Sequence, residues 1–407
     1  MKTTKAVILA AGEGRRMLPL TYARPKVLLP VANKPILEHL LVELREAGIR
    51  EMVFVVGYQS ERLRGYFGDG ARWGVSIEYR DQKGEIGTAA ALKAVVGLVD
   101  GWFLMVNGDV IVYRRDIEHL MKQTSNAMTV IERADTSGFG VVEVNEGRVI
   151  RIYEKASNAP SHLVNAGLYL FSPDIFGAVE RTGKSSRGEY EITDSLQILI
   201  DSDVPVSYHI IDHWLEMSYP WDLLAANERI LAMLSECRLG EIEANVVTHG
   251  VISVGKGSRI RSGSYIIGPV VIGENCEIGP NCYIRPSTAI GDSCHIGAAT
   301  EVKNSIIMRG TKIPHLSYVG DSIIGEGCNL GAGTKIANLR LDKKEISVAG
   351  IKTKRRKLGA IIGDGVETGI NASINVGTFI GNNSFIGPGV LAHGIIPPGS
   401  KILPVTR

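Results

Sequence analysis

Residues 260–278 read IRSGSYIIGPVVIGENCEI, and four aliphatic side chains in this stretch, Ile260, Ile266, Ile272 and Ile278, stand six positions apart. The spacing extends outward to Val254 on one side and to Ile284, Ile290, Ile296 and Val302 on the other. It slips by one residue to Ile307, runs through Ile313 and Val319, slips again to Ile324, and continues through Leu330 and Ile336. After an interruption it resumes at Ile362, Ile374, Ile380 and Ile386. A period of six fits neither a helix nor simple strand alternation; it fits a solenoid in which each hexad forms one flat face of a three-sided coil. Three hexads make a coil of about eighteen residues, and successive coils stack at the strand spacing of ~4.8 Å. The aliphatic residue points inward and a small residue turns each corner. Strands of a β-sandwich do not hold one spacing for this long.

The full chain of 407 residues exceeds what one hydrophobic core supports, so at least two domains are expected. Hydrophobic residues at 44% and charged residues at 22% describe an ordinary folded protein, and a net charge of +2 provides no global attraction for nucleic acid or membranes. The apolar run Ala6–Ala10 is too short for a secretory signal or a membrane span and reads as a buried first strand. Five cysteines without CxxC spacing indicate neither a disulfide framework nor a zinc site, which fits a reducing cytoplasm.

Before about residue 240 the pattern changes. Apolar runs near residues 52–56, 75–79 and 102–106 alternate with helical segments, as in βα units around a mainly parallel sheet. In the first helix Pro35 suits the first turn, Ile36, Leu37, Leu40, Leu41 and Leu44 share a face, and Gly48 suits a left-handed cap. A last helix from Asp222, its expected N-cap, to about Cys237 leads into the repeats. The boundary falls near residues 237–250, separating residues 1–237 from 238–407.

After the first strand, Leu9-Ala10-Ala11-Gly12-Glu13-Gly14-Arg15-Arg16-Met17 forms a glycine turn able to bring backbone N–H groups against phosphate oxygens. Pro19-Leu20-Thr21 and Arg24-Pro25-Lys26 follow. Together these closely resemble the signature of sugar-1-phosphate nucleotidylyltransferases, with Arg15 where threonine is usual. The resemblance implies a Rossmann-like fold, Leu9, Ala11, Gly12 and Gly14 at the nucleotide, Arg16 on the triphosphate and Lys26 beside the reacting phosphates. Two cations suit a reaction in which two highly charged anions must meet. Val106-Asn107-Gly108-Asp109 ends a strand with a carboxylate at the sheet edge where α/β proteins bind ligands. In the family this aspartate holds Mg2+, and Glu216, in Trp214-Leu215-Glu216, is the candidate for the second acidic ligand.

By the same resemblance Gln82, Gly87 and Thr88 recognise the base of UTP or dTTP, and Gly140, Glu154, Lys155 and Asn165 occupy the sugar-binding positions. Glu154 would accept from sugar hydroxyls and Lys155 would face the phosphate.

The repeats themselves resemble the left-handed hexapeptide family, and Arg285, Lys303, His315, Tyr318 and Asn329 follow the order of the acetyltransferase half of bifunctional N-acetylglucosamine-1-phosphate uridylyltransferases. The resemblance makes His315 the base that deprotonates an amino sugar as it attacks acetyl-CoA, a task suited to a pKa of about 6.5. It places Arg285 and Lys303 on the sugar phosphate, Tyr318, Asn329 and Asn338 on the sugar, and Ala332 at acetyl-CoA. Between Leu339 and Leu358 eight basic residues against two acidic interrupt the hexads, read as a solvated loop or as a cover for CoA phosphates. The pattern as a whole looks like the archaeal-type bifunctional enzymes, working on small-molecule substrates in the cytoplasm as a homotrimer or dimer of trimers. Two rivals are a glucose-1-phosphate thymidylyl- or uridylyltransferase with an inert scaffold, and a non-enzymatic relative. Retention of Arg16, Lys26 and Asp109 opposes the second.

Overall fold

The computed structural model describes residues 4–154 and 160–404. The chain forms two compact units: Met1–Glu13, Pro25–Leu28 and Ile36–Glu216 make the first, and Gly14–Arg24, Leu29–Pro35 and Met217–Arg407 the second.

The first unit is built on β1 (Lys5–Ala10), β2 (Glu51–Val56), β3 (Ser76–Asp81), β4 (Phe103–Asn107), β6 (Asn126–Glu132), β7 (Gly140–Asn145), β8 (Arg148–Glu154), β9 (Leu163–Phe171) and β10 (Val206–Ile210). They form one sheet in the order β3-β2-β1-β4-β9-β6-β10-β8-β7. The short strands β5 (Val110–Ile111) and β11 (Leu215–Glu216) pair separately. β1 lies parallel to β2 and β4, and β2 parallel to β3. Beyond β4 the sheet is mixed, with β10 parallel to β6 among antiparallel pairs, so the expectation of a mainly parallel sheet holds throughout only across its first four strands. The reason is local for β7 and β8: Glu146 and Gly147 both take positive φ, the two-residue hairpin geometry, which turns the chain straight back and makes that pair antiparallel. β9 is likewise antiparallel to both β4 and β6. Because β1 has β2 on one side and β4 on the other, the crevice for a ligand opens at their carboxyl ends.

Helix α1 (Ile36–Glu46) buries Ile36, Leu37, Leu40, Leu41 and Leu44, and Gly48 takes φ 98° just past its end. Pro35 ends a two-residue strand one position ahead of this helix rather than sitting in its first turn.

The second unit contains helix α2 (Pro220–Leu231) and the repeats. Asp222 is not the N-cap of α2; it sits at the third helical position, where its carboxylate accepts the Ser218 and Tyr219 backbone N–H groups at 2.9 and 2.7 Å. Leu231 packs with Ala32, Val271 and Ala289. That apolar contact draws the helix into the repeat unit, so the compact units do not coincide with residues 1–237 and 238–407.

From Cys237 the chain visits three parallel sheets in rotation, the strand pattern of a parallel β-helix, with nine, nine and eight strands among the described residues. The aliphatic residues that mark the six-residue period all lie in one buried cluster, from Val254 to Ile386. Each fully buried Ile or Val contributes roughly 1.5–3 kcal/mol, so the column is the main stabilising feature of this unit. The slips in period are coils one residue shorter: Ile260 pairs with Ile278, but Ile296 with Ile313. Leu330 pairs directly with Thr368, so the insertion is looped out and the ladder closes beneath it. The insertion exposes most of its basic side chains to solvent, as a solvated loop would, but it is anchored. Ser347–Val348 and Ile351–Lys352 form a hairpin, with Ile346, Val348, Thr353 and Leu358 buried and Arg355 Nη2 on Glu228 Oε1 at 2.7 Å. Four apolar or small side chains within the basic run supply an anchor that its net charge conceals. No helix among the described residues is long and apolar enough to cross a membrane.

Candidate active sites

In the first unit, β1 and β4 end side by side, and the Gly108 N–H donates to the Leu9 carbonyl at 2.8 Å. A side chain at Gly108 would meet that carbonyl at 2.8 Å, so glycine lets the two strand ends close up. Gly12 has open space where a side chain would stand, as a backbone cradle for phosphate requires. Ala11 is half-buried, its carbonyl accepting from Tyr58 N–H at 3.3 Å.

Lys26, nearly buried, places Nζ 2.5 Å from Asp109 Oδ2. Glu216 faces Val110 across the β5–β11 pair, next to Asp109 in register. The β5–β11 pairing brings the backbone at Glu216 beside that at Val110, from segments more than a hundred residues apart. Among the described residues Asn107 Oδ1 is buried with no hydrogen-bond partner. All these donors are hard oxygens, the chemistry that suits Mg2+ when phosphate and water complete the shell. Among the described residues no group of three His, Cys, Asp or Glu side chains could hold a metal alone.

Gly140, Glu154 and Asn165 converge from β7, β8 and β9: a side chain at Gly140 would lie 3.1 Å from Glu154 Oε2 and 3.7 Å from Asn165 Cβ. Glu154 Oε2 accepts from the Thr193 hydroxyl at 2.9 Å, and Arg187 Nη2 lies 3.4 Å from Oε1. Burial raises the Glu154 carboxyl above its ordinary value, with the Thr193 hydrogen bond acting the other way. Asn165 donates to the Tyr169 hydroxyl at 2.6 Å and accepts from the Gly167 N–H at 3.1 Å, which fixes its orientation. Thr193, Arg187 and Tyr169 were not legible as site residues, because they come from outside the motifs. Lys155 lies outside the described residues.

At the base-recognition loop, the Gln82 amide nitrogen donates to the Glu85 and Gly87 carbonyls at 2.9 and 3.1 Å. Gly87 takes φ 121°, and a side chain there would fall 2.2 Å from the Tyr190 carbonyl, so only glycine fits. Thr88 begins a helix and accepts the Ile192 N–H at 2.9 Å.

In the second unit, Gly14 (φ 66°) precedes a short 3-10 turn, Arg15–Met17. Arg16 is exposed, with its guanidinium 5.5 Å from the centre of the Tyr219 ring. With Trp221 and Phe379 it lines a mostly apolar cavity of about 320 Å³.

Along the third sheet of the repeats Tyr283, Glu301 and Tyr318 stand in register, and Lys303 faces Gly320. Arg285 pairs with Glu301 at 2.9 Å, which raises the guanidinium pKa. Asp321 is the hub. Its buried carboxylate receives Lys303 Nζ at 3.2 Å, Asn304 Nδ2 at 2.8 Å and Asn338 Nδ2 at 2.5 Å. Asn338 also reaches the Tyr318 hydroxyl at 3.1 Å. Four of the expected residues, Arg285, Lys303, Tyr318 and Asn338, therefore share one side of the coil. His315 and Asn329 are exposed on strands of the second sheet, with Ala332 just past the second of these strands. The Gly333 N–H donates to the His315 carbonyl at 3.2 Å. Within a single chain Asn329 does not join the Tyr318 side. Asp321 had a readable signal: Asn304, Asp321 and Asn338 repeat at the 17-residue length of the short coils.

In the first unit Lys26 meets Asp109 and Gly140, Glu154 and Asn165 cluster, and in the repeats Lys303, Asn304 and Asn338 gather about Asp321. The Nucleotidyl transferase family model matches residues 5–232, and the GMPPB C-terminal domain model matches residues 266–375. The chain is 41% identical to the bifunctional protein GlmU of Methanocaldococcus jannaschii, over 95% of this chain and 94% of that one. It is 38% identical to the bifunctional sugar-1-phosphate nucleotidylyltransferase/acetyltransferase of Sulfurisphaera tokodaii, over 96% and 97%. The crystal structure of a putative glucose-1-phosphate thymidylyltransferase from Bacillus anthracis, 27% identical, matches 57% of this chain and 97% of its own with a TM-score of 0.52. The chain belongs to the family of bifunctional sugar-1-phosphate nucleotidylyltransferases and acetyltransferases. It is a transferase with both activities, and the reading of the repeats as an inert scaffold is the less supported one.

Proposed function

We propose that this enzyme acetylates glucosamine 1-phosphate in residues 238–407, folded as a left-handed coil, and couples the product to UTP or dTTP in residues 1–237, in the cytoplasm. The observation that supports this most is the pairing of two independent polar centres: Lys26 with Asp109 in one unit, and the Asp321 hub in the other.

In nucleotidyl transfer a phosphate oxygen of the sugar 1-phosphate attacks the α-phosphorus and pyrophosphate leaves. Lys26 and Arg16 neutralise phosphate charge, the backbone at Leu9, Ala11, Gly12 and Gly14 cradles the triphosphate, and Gln82, Gly87 and Thr88 hold the base. Glu154, Asn165, Gly140 and Lys155 bind the sugar. Asp109 and Glu216 would hold Mg2+, which when bound supplies electrostatic stabilisation of the phosphates. In acetyl transfer the amine nitrogen attacks the thioester carbonyl, His315 takes the amine proton, and the CoA thiolate leaves. Arg285 and Lys303 bind the sugar phosphate, with Tyr318 and Asn338 on the ring. His315 and Asn329 lie on another sheet of the coil, with Ala332 just past it, which supports a pocket completed by a neighbouring subunit in a homotrimer or dimer of trimers. A matrix of sugar phosphates against UTP and dTTP, read as pyrophosphate release, tests the substrate assignment. Equal rates with glucose 1-phosphate would remove the preference for the acetylated sugar.

A further inference from the structure

The basic insertion leaves the coil directly after Asn338 and rejoins it at Gly359. Its base closes on the hub of the repeat unit: the Leu358 N–H donates to the Asn338 carbonyl at 3.0 Å, the Gly359 N–H to the Asp321 carbonyl at 2.8 Å, and Leu339 bridges Lys357. Seven of its eight basic residues are exposed, and Arg355 is not. The Arg355 carbonyl accepts the Ile346 N–H at 2.9 Å, its Nε donates to the Lys357 carbonyl at 3.3 Å, and its Nη2 lies 2.7 Å from Glu228 Oε1 on α2. One cation of the run is therefore turned inward and fixed, while the others face water.

Glu228 Oε1 also receives Asn304 Nδ2 at 2.9 Å, and the same nitrogen reaches Asp321 Oδ1 at 2.8 Å. An amide nitrogen carries two N–H groups, and here one serves each carboxylate. Asn304 Oδ1 is buried with no hydrogen-bond partner among the described residues, so the orientation of this amide depends on the two carboxylates. Asn304 and Asp321 occupy the same corner of successive coils, at φ 45° and 50°, a conformation that asparagine and aspartate tolerate. With Oδ1 of Asp321 held by Asn304, Oδ2 is left to Lys303 Nζ and Asn338 Nδ2. Arg355, Glu228, Asn304 and Asp321 thus form one chain of contacts, all within the repeat unit, from the insertion to the side chains read as holding the sugar phosphate and its ring.

We propose that Asn304 and Glu228 are positioning residues for acetyl transfer, and that the basic insertion, through Arg355, braces the sugar-phosphate side of this site rather than covering CoA. The inference rests on the reading of Lys303 and Asn338 as sugar-binding residues. It is tested in the full-length chain by CoA release at varied glucosamine 1-phosphate and at varied acetyl-CoA, with thermal melting alongside. Glu228→Ala and Asn304→Gly, the second a residue at ease with the same positive φ, are expected to raise KM for glucosamine 1-phosphate about tenfold, within the range for losing one member of a coupled hydrogen-bond network. KM for acetyl-CoA and kcat change little. Arg355→Ala raises the same constant by a smaller factor, because Glu228 still faces Asn304, and Glu228→Gln, which keeps an oxygen for that amide, stays near wild type. Unchanged KM for glucosamine 1-phosphate in Glu228→Ala and Asn304→Gly overturns the proposal. So does a raised KM for acetyl-CoA in Arg355→Ala, which would put the insertion on the CoA phosphates. A parallel loss in every kinetic constant and in the melting temperature also overturns it, by making the contacts merely structural. Should Asn304→Gly fail to fold, Glu228→Ala, at a side chain 40% exposed, carries the same reading. A KM for glucosamine 1-phosphate that Lys303→Ala leaves unchanged would instead remove the reading of the sugar-binding side itself.

Discussion

Lys26 Nζ donates to Asp109 Oδ2 at 2.5 Å, joining the loop after β1 to the end of β4. A phosphate on the lysine and a cation on the aspartate would exchange this one pair for two. Lys26→Ala and Asp109→Asn are therefore each expected to lower pyrophosphate release by about 10²-fold or more, the scale of losing one preorganised electrostatic contact. Acetyl transfer continues in both variants. Loss of both activities in a folded variant would contradict separate sites.

The Asp321 hub allows the converse experiment. Asp321→Ala removes the acceptor shared by the largely buried Lys303 ammonium and two asparagine amides. Breaking a buried pair from one side costs about 3 kcal/mol, so a lower melting temperature is expected together with at least tenfold slower acetyl transfer. Pyrophosphate release at a temperature where the variant is folded stays near wild type. Acetyl transfer at the wild-type rate would show that the hub orients nothing.

Much of this was readable before any coordinates. The six-residue period located the interior of the coil correctly, because an inward position admits only apolar or small residues and leaves its mark in sequence. The Gly140, Glu154 and Asn165 cluster followed from ordered motifs. What stayed hidden were partners set by three-dimensional register: Thr193 on Glu154, Arg187 beside it, and Asp364 on Arg24 lie 39, 33 and 340 residues away. The hairpin inside the basic insertion was obscured because its charge outnumbers its anchors.

Burial at Glu154 has a pH consequence. Its carboxyl sits above the ordinary glutamate value of 4.5 when folded. Between the unfolded and folded values the native state binds more protons, so this group makes stability fall as pH rises through that window. In the proposed function sugar binding needs the carboxylate, so it is expected to rise over the same window. The acid limb of kcat/KM for the sugar phosphate should lie above pH 4.5. Glu154→Gln should lower kcat/KM by roughly 10- to 100-fold, as expected for a charged hydrogen bond, and remove that limb. An unchanged profile would exclude Glu154 from sugar binding.

All five cysteines are free, with Cys237 exposed and the other four buried in the repeats. Cys276, Cys282, Cys294 and Cys328 direct their thiols at backbone carbonyls. Burial pushes Cys282 up to about 11 and both Cys294 and Cys328 up to about 12. A thiol-reactive dye at neutral pH should label Cys237 quickly and the rest only on unfolding. Rapid labelling of more than one thiol in the native protein, or a Cys276–Cys294 bridge found by mass spectrometry, would contradict this packing.

The most direct test of the central claim follows one pot of wild-type enzyme with glucosamine 1-phosphate, acetyl-CoA, Mg2+ and UTP or dTTP, reading free CoA thiol, pyrophosphate and the mass of the nucleotide sugar together. CoA and pyrophosphate should appear in equal final amounts, CoA first, with an N-acetylated nucleotide sugar as the product. Pyrophosphate without CoA release, and a nucleotide sugar lacking the acetyl group, would contradict it.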